Sequence, residues 1–179
     1  NNYKYKKHIM KKLIFILTIT ITVASSNLLI AQKTIVDVAV GNNDFSTLVT
    51  ALKAADLVGA LQADGPFTVF APTNDAFAKI DSKTLNSLLE DKNKKALANI
   101  LTYHVISGKI TANDVVAALK KGNGKVELKA LNGQVLTVLQ KDGKIWLKDQ
   151  NGSYSEIIAT DVMGSNGVIH AINTVVMPL

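Results

Sequence analysis

Two histidines are the side chains best suited to proton transfer or metal binding after the apolar N-terminal segment. They are His104 and His170, and the carboxylates of Asp75 and Asp161 are the candidates for a third ligand. A structural or catalytic zinc site needs three or four ligands, and these often recur at short, fixed spacings. No such spacing joins these four residues. The pattern therefore favours two hydrogen-bonded structural histidines, and it predicts neither a metal nor a cofactor.

Short motifs of the common enzyme classes are absent from the sequence. It contains no G-x-S-x-G, no G-x-x-x-x-G-K-[ST], no G-x-G-x-x-G and no H-E-x-x-H. We therefore predict no catalytic residues. A hydrolase that acts on envelope polymer through His104 is the least favoured of three functional hypotheses.

Trp146 is the third candidate for a functional role. It lies between two lysines in an alternating pattern, which places it on the lysine face of a strand, with Tyr154 one turn later. We favour a ring that is covered by lysine stems or by a helix. The alternative is an aromatic platform for a sugar or a protein surface.

The segment FTVFAPTNDAF, residues 67–77, joins an apolar strand to a polar turn. Phe67 begins the strand, and Pro72 ends it because proline cannot donate to the ladder. Thr73 is suited to cap a following helical turn, where Asp75 would meet the positive helix end. Phe77 then returns to the core. We interpret the turn as a structural hinge and not as a reaction centre.

The elements that position these residues divide the chain into two halves. Apolar residues recur at helical spacing between residues 44 and 121, and beyond Gly122 the period changes to two. Asn-Gly and Asp-Gly pairs separate the later strands, as in antiparallel hairpins. Residues 135–139 are nearly all apolar, which predicts a strand covered on both faces. The segregation of helices and strands indicates an α+β fold.

The first 31 residues differ in composition from the rest of the chain. Lys11 and Lys12 precede an apolar run over residues 13–24, the pattern of a secretory signal peptide. That run is shorter than the ~20 residues of a spanning helix. Met10 is the expected initiator, and cleavage is expected after Ala31, with a site near Ala24 as a second option and an uncleaved anchor as the alternative. We predict a domain over residues 32–179 and a secreted, extracellular or periplasmic location.

The charge of that domain argues against nucleic acid as a partner. Residues 32–179 contain 15 Lys and 14 acidic residues, a net charge of +1, and the chain has neither Arg nor Cys. Nucleic-acid binding usually needs a basic stripe. An exported chain without Cys has no disulfide framework. We expect a monomer.

Three blocks of the sequence resemble the signatures of the fasciclin (FAS1) domain family. They are residues 67–77, the Tyr-His block at residues 101–105, and residues 166–172 with the closing Val-Val-Met-Pro-Leu. Their order and spacing are those of the family. The resemblance implies a FAS1 fold, a β-sandwich-like wedge of antiparallel strands flanked by helices from the N-terminal half.

The same resemblance implies an adhesion or interaction module that binds a cell-surface or matrix protein or polysaccharide. In animal members, integrin recognition is linked to an Asp-Ile pair and to a Tyr-His region. The matching residues here are Asp161, Val162, Tyr103 and His104, although the leader is of bacterial type and no Arg-Gly-Asp occurs. The alternative hypothesis is a carrier or sensor for a glycan or an apolar small molecule.

Overall fold

The computed structural model describes residues 32–179, and the predicted signal peptide and upstream residues, 1–31, lie outside that range. Helices occupy its first part: α1 (Ile35–Val40), α2 (Ser46–Ala54), α3 (Val58–Gln62), α4 (Asn74–Ala78), α5 (Ser82–Leu88), α6 (Lys94–Tyr103) and α7 (Ala112–Lys121). Short 3-10 helices, Asn43–Phe45 and Asp91–Asn93, precede α2 and α6. Among these helices, none is long and apolar enough to cross a membrane.

Threonine-aspartate capping boxes begin two of the helices. Thr34 precedes α1 and exchanges hydrogen bonds with Asp37, and Thr111 does the same with Asp114 at the start of α7. Each pair satisfies backbone N–H groups that the helix itself leaves without acceptors. Gly122 follows the last residue of α7 and ends it.

Strands form one mixed sheet of seven in the order β2-β1-β7-β6-β5-β4-β3 within the described residues. Their bounds are β1 (Phe67–Pro72), β2 (Val105–Ser107), β3 (Lys125–Lys129), β4 (Val135–Lys141), β5 (Lys144–Lys148), β6 (Tyr154–Gly164) and β7 (Gly167–Ile172). The last five strands are an antiparallel meander, as the alternating pattern and the tight turns predict. Asp142 and Gly143, with φ of 55° and 74°, join β4 to β5 in a two-residue turn.

One pairing in the sheet is parallel, and it joins the first strand to the last. β1 lies beside β7, with Phe67 opposite Gly167 and Pro72 opposite Ile172. A Cβ on Gly167 would lie 2.2 Å from the carbonyl oxygen of Phe67, so only glycine permits this close approach. A bridge between Ile106 and Ala130 brings the two edges of the sheet together, which makes the sheet nearly closed.

Buried side chains form two apolar cores, one on each face of β1 and β7. The helix core contains Ile35, Phe45, Leu48, Leu52, Val69, Phe77, Leu101 and Ile169. The sheet core, inside the curved sheet, contains Phe70, Tyr103, Val115, Leu119, Leu136, Val138, Leu147, Ile172 and Val176. Because successive residues of a strand point to opposite faces, β1 and β7 supply both cores and are buried on both sides.

The predicted α+β fold is confirmed, with helices mainly before Gly122 and the meander after it. The strands lie in a single, nearly closed sheet, and the parallel contact between β1 and β7 was not indicated by the sequence. One local expectation was wrong. Residues 135–139 are buried on one face only, because Leu136 and Val138 enter the sheet core while their neighbours stay half-exposed on the other face.

Candidate functional site

The turn after β1 is held by its own polar side chains. Pro72 is the last residue of β1, and the hydroxyl of Thr73 accepts a hydrogen bond of 3.3 Å from the N–H of Ala76. Asp75 is exposed in the first turn of α4, at the positive end of that short helix. Phe77 is only 4% exposed and packs in the helix core.

Asn74 joins this turn to the start of α2, a role that the sequence did not indicate. Its Oδ1 accepts from the N–H of Thr47 at 3.0 Å and from the hydroxyl of Ser46 at 3.2 Å. Its Nδ2 donates to the carbonyl of Asn43 at 2.8 Å. The residue before α2 makes no side-chain cap, so Asn74 supplies that cap from another part of the chain.

Asn166 makes a second connection of the same kind. Its Oδ1 accepts from the N–H of Ile35 at 2.9 Å, and its Nδ2 donates to the carbonyls of Leu61 and Ala63. The sequence placed this residue in an Asn-Gly turn and in the last signature block, but it did not indicate these bonds. In the fold it ties α1 and the end of α3 to the β6–β7 hairpin.

His104 is enclosed between α6 and the C-terminal segment, and it is 1% exposed. Its Nδ1 lies 2.8 Å from the carbonyl of Ile100 and therefore donates to it. Its Nε2 accepts from the N–H of Val176 at 3.3 Å. Burial lowers the pKa of His104 to about 4, an effect that the hydrogen bond to Ile100 only partly opposes. The imidazole is therefore neutral at pH 7, and it does not act as a cation at the end of α6.

Tyr103 is fully buried beside His104, in the sheet core. Its hydroxyl donates to the carbonyl of Val135 at 2.9 Å. Burial, followed by the nearby charge of Asp149, raises the pKa of the Tyr103 phenol. A residue that contacts a partner must expose atoms to it, and neither Tyr103 nor His104 does so. The expectation that these two residues form an interaction surface is therefore corrected.

Asp149 is a buried carboxylate that sequence reasoning missed. It is 4% exposed, and its two oxygens accept from the N–H groups of Ser153 at 2.8 Å and Met177 at 3.0 Å. It thus closes the β5–β6 turn and holds the C-terminal segment. The available signal was its position two residues before the Asn151-Gly pair, where a side chain commonly bonds to the backbone of the turn.

His170 lies in β7 and is also 1% exposed. Its Nε2 lies 2.8 Å from the carbonyl of Ile110, to which it donates, and its Nδ1 faces the N–H of Asp161 at 3.4 Å. The ring of Phe70 is tilted against it, with ring centroids 5.7 Å apart. His170 therefore joins the β1–β7 pair to the segment before α7.

Asp161 and Val162 lie at an irregularity in β6 where the pairing register with β7 shifts. Asp161 has a φ of 60°, a conformation in which Asp and Asn are enriched. Its Oδ1 accepts from the N–H of Ala112 at 2.9 Å, which anchors the start of α7. Val162 is half-buried and packs against the helix core. Contact between this pair and a partner stays a prediction.

These residues do not converge on one reactive centre. Each imidazole has a backbone group at both ring nitrogens, and His104 and His170 hold different segments. Across residues 32–179, no group of three His, Cys, Asp or Glu side chains is placed to hold a metal ion.

The outward side of the meander combines aromatic, apolar and charged side chains. We define the outer face by twelve residues of β3 to β6 whose side chains lie on the same side of the sheet because of the strand pairing. They are Lys125, Glu127, Lys129, Val135, Thr137, Leu139, Lys141, Lys144, Trp146, Lys148, Tyr154 and Glu156. Trp146 lies on it, between Leu139 and Glu156. Trp146 is half-buried, and its indole N–H has no partner among the described groups.

Beside Trp146 the outer face forms an open concavity of about 670 Å³. Its lining consists of the β5–β6 turn together with Lys125, Glu127, Val135, Thr137, Leu139, Lys148 and Tyr154. The ammonium group of Lys148 lies 5.5 Å from the ring centroid of Tyr154, within the distance of a cation–π contact. Tyr154 is 48% exposed.

Comparison with known sequences identifies the family. The model of the Fasciclin domain matches residues 43–178. Protein sll1483 of Synechocystis sp. is 52% identical over 148 residues, which cover 83% of this chain and 75% of that protein. Immunogenic protein MPB70 of Mycobacterium bovis is 33% identical over 149 residues, covering 80% of this chain and 68% of that protein.

Longer proteins and a solved structure show the same similarity. Transforming growth factor-beta-induced protein ig-h3 of Sus scrofa is 40% identical over 145 residues, which are 81% of this chain but 19% of that protein. The FAS1 domain pair from the insect cell adhesion molecule Fasciclin I superposes with a TM-score of 0.71 at 19% identity, over 81% of this chain and 51% of that one. At that identity the superposition shows the fold alone. The match over residues 43–178 and the close relatives together show that this chain belongs to the Fasciclin domain family.

Proposed function

We propose that this protein is an exported, non-catalytic adhesion module that binds cell-surface or matrix components through its outer surface. The observation that carries the proposal is that the buried polar side chains form their hydrogen bonds within the fold. Both histidines bond to backbone groups through both ring nitrogens. The hydroxyl of Tyr103 and the carboxylate of Asp149 also bond to backbone groups. Such side chains stabilise the fold and leave recognition to exposed residues.

Family membership supports the same function. The solved relative of the same fold is described as an insect cell adhesion molecule. Export rests on the signal-like pattern of residues 1–31, and the location that we propose is the cell surface, the extracellular space or the periplasm.

The alternative, a carrier of an apolar small molecule, receives less support. The apolar cavity between α1, α2 and β1 has a volume of about 20 Å³, close to that of a single water-sized probe. Drug-sized ligands usually occupy pockets of ~300–1,000 Å³. A carrier of that kind would have to open the helix core to accept its ligand.

Attachment of the producing cells to a surface tests the proposal. We expect a deletion strain to attach less than the parent and the wild-type protein to restore attachment. A Phe77→Ala variant, which weakens the helix core, serves as the matched control and should not restore it at a temperature at which the variant is unfolded. Parental attachment of the deletion strain in several media would refute the adhesion function.

Purified protein tests export, oligomeric state and catalysis. The intact mass of the protein from culture medium and envelope fractions shows whether residues 1–31 are removed, and exclusive recovery from the cytoplasm would refute export.

We expect a monomer in sedimentation equilibrium. Turnover of envelope polymer that is lost in His104→Gln, while the fold persists, would refute the non-catalytic assignment.

A further inference from the structure

We propose that the outer face binds an acidic polysaccharide, a polymer of sugar rings that carry carboxylate or sulfate groups. The inference rests on the proposed function, because it names the class of partner that the adhesion module contacts. It is carried by the charge of the face, by the arrangement of its lysines and by the concavity that Tyr154 lines.

Positive charge is concentrated on the outer face. The face carries five lysines and two glutamates, a net charge of +3, whereas the whole of residues 32–179 has a net charge of +1. The remainder of the described chain is therefore slightly acidic. A surface of one sign attracts a polymer of the opposite sign and raises its local concentration.

Both glutamates of the face are already paired. Lys125 lies 2.7 Å from Glu127, and Lys144 lies 2.7 Å from Glu156. The other outer-face lysines, which have no acidic partner within residues 32–179, are Lys129, Lys141 and Lys148. These three ammonium groups are available to anionic groups of a ligand.

Lys141 and Lys144 lie directly opposite each other across the β4–β5 pair. Glu156 already neutralises Lys144, so Lys141 is the ammonium group of this pair that is left for an anionic ligand.

The concavity supplies contacts that suit a sugar ring. Its volume of about 670 Å³ lies in the range of ligand sites, ~300–1,000 Å³. Tyr154 offers an exposed ring, Leu139 offers apolar surface, and Thr137 offers a hydroxyl. The apolar face of a pyranose packs on such a ring while its hydroxyls bond to polar groups at the rim. An acidic peptide would use the lysines but has less to place against the Tyr154 ring.

Titration of the full chain with defined polymers tests the proposal. The probes are sodium alginate, dextran sulfate, neutral dextran and poly-glutamate, in calcium-free buffer at low ionic strength. Trp146 is the single tryptophan of the chain and the direct neighbour of Leu139, so its fluorescence reports on the concavity. Calorimetry gives the affinity independently. We expect saturable binding of alginate and dextran sulfate, at least roughly tenfold tighter than binding of dextran or poly-glutamate, and weaker at higher salt.

Matched double variants separate this face from general positive charge. Lys129→Gln/Lys148→Gln removes two outer-face lysines, and Lys83→Gln/Lys95→Gln removes two exposed helical lysines with the same change of net charge. We expect roughly tenfold weaker alginate binding for the first variant and less than about a twofold change for the second. Tyr154→Ala should weaken binding of alginate more than binding of poly-glutamate. Unchanged unfolding midpoints would show that the variants fold.

The possible outcomes decide between the classes of partner. Equal binding of poly-glutamate and the polysaccharides would assign the face to an acidic protein and overturn the proposal. Equal loss in both double variants, equal binding of dextran, or absence of binding would also overturn it. The attachment assay distinguishes the two hypotheses, because a Lys129→Gln/Lys148→Gln protein that restores attachment fully would leave the adhesion function standing while refuting this site.

Discussion

Acidification should destabilise this protein through His104. The pKa of the buried imidazole is about 4, against 6.5 for an unperturbed histidine. The unfolded chain therefore binds a proton below pH ~6.5, while the folded chain does so only near pH 4. Stability is fully present above pH ~6.5 and falls as the pH drops towards 4. Because of the difference between the two pKa values, the free energy of unfolding is about 3 kcal/mol lower below pH 4 than at neutral pH. About 2 kcal/mol of this stability is lost between pH 7.5 and pH 5.0.

Urea unfolding at pH 7.5, 6.0 and 5.0 measures this loss. His104→Gln is the control, because glutamine has a donor and an acceptor but no proton to gain. Subtracting the free energy of unfolding of the variant from that of the wild type cancels the contributions of carboxylates that both proteins share. We expect the difference to fall by about 2 kcal/mol from pH 7.5 to pH 5.0.

Direct titration provides a second measurement that does not depend on the variant. The C2 proton of His104, followed by NMR, should keep the chemical shift of the neutral imidazole down to about pH 4 or to acid unfolding. A midpoint near pH 6.5 in the folded protein would refute the reasoning. A pH-independent difference between wild type and His104→Gln would refute it as well.

Three further substitutions test the packing and the long-range hydrogen bonds by the free energy of unfolding in urea. Phe77→Ala should cost about 3–5 kcal/mol, because it leaves a cavity in the helix core, and a near-native midpoint would show that Phe77 is not an anchor. Asn74→Ala should cost about 1–3 kcal/mol, because α2 loses its cap. The control is Asn86→Ala at an exposed position, which should change stability by less than about 0.5 kcal/mol. Equal effects of the two substitutions would contradict the capping role of Asn74. Tyr103→Phe should cost about 1–3 kcal/mol, because the carbonyl of Val135 loses its donor; no change would indicate that water replaces the hydroxyl.

Predictions from sequence succeeded where the determining residues are neighbours. The Asp142-Gly143 turn has two consecutive positive φ values, as its residue types require, and the strands on either side alternate as expected. Thr73 lies before α4 and accepts from Ala76, an interaction between residues three positions apart. Each of these features follows from a few adjacent side chains.

The same approach misjudged residues whose partners are far away in the chain. Asn166 was identified as part of a turn, yet its side chain bonds to Ile35, 131 positions earlier. Tyr103 and His104 were candidates for a contact surface, yet the strands and the C-terminal segment enclose them. Residue type indicates which bonds a side chain is able to make, but it does not identify the segment that supplies them.

Local chemistry was thus enough to define the helical half, the meander and the turns, because propensity, periodicity and capping act over a few residues. The parallel contact of Phe67 with Gly167, the hydrogen-bond partners of both imidazoles and the lysine-rich outer face arose from packing. These features depend on which segments, distant in the sequence, bury apolar surface against each other. Those contacts form only when the whole chain folds.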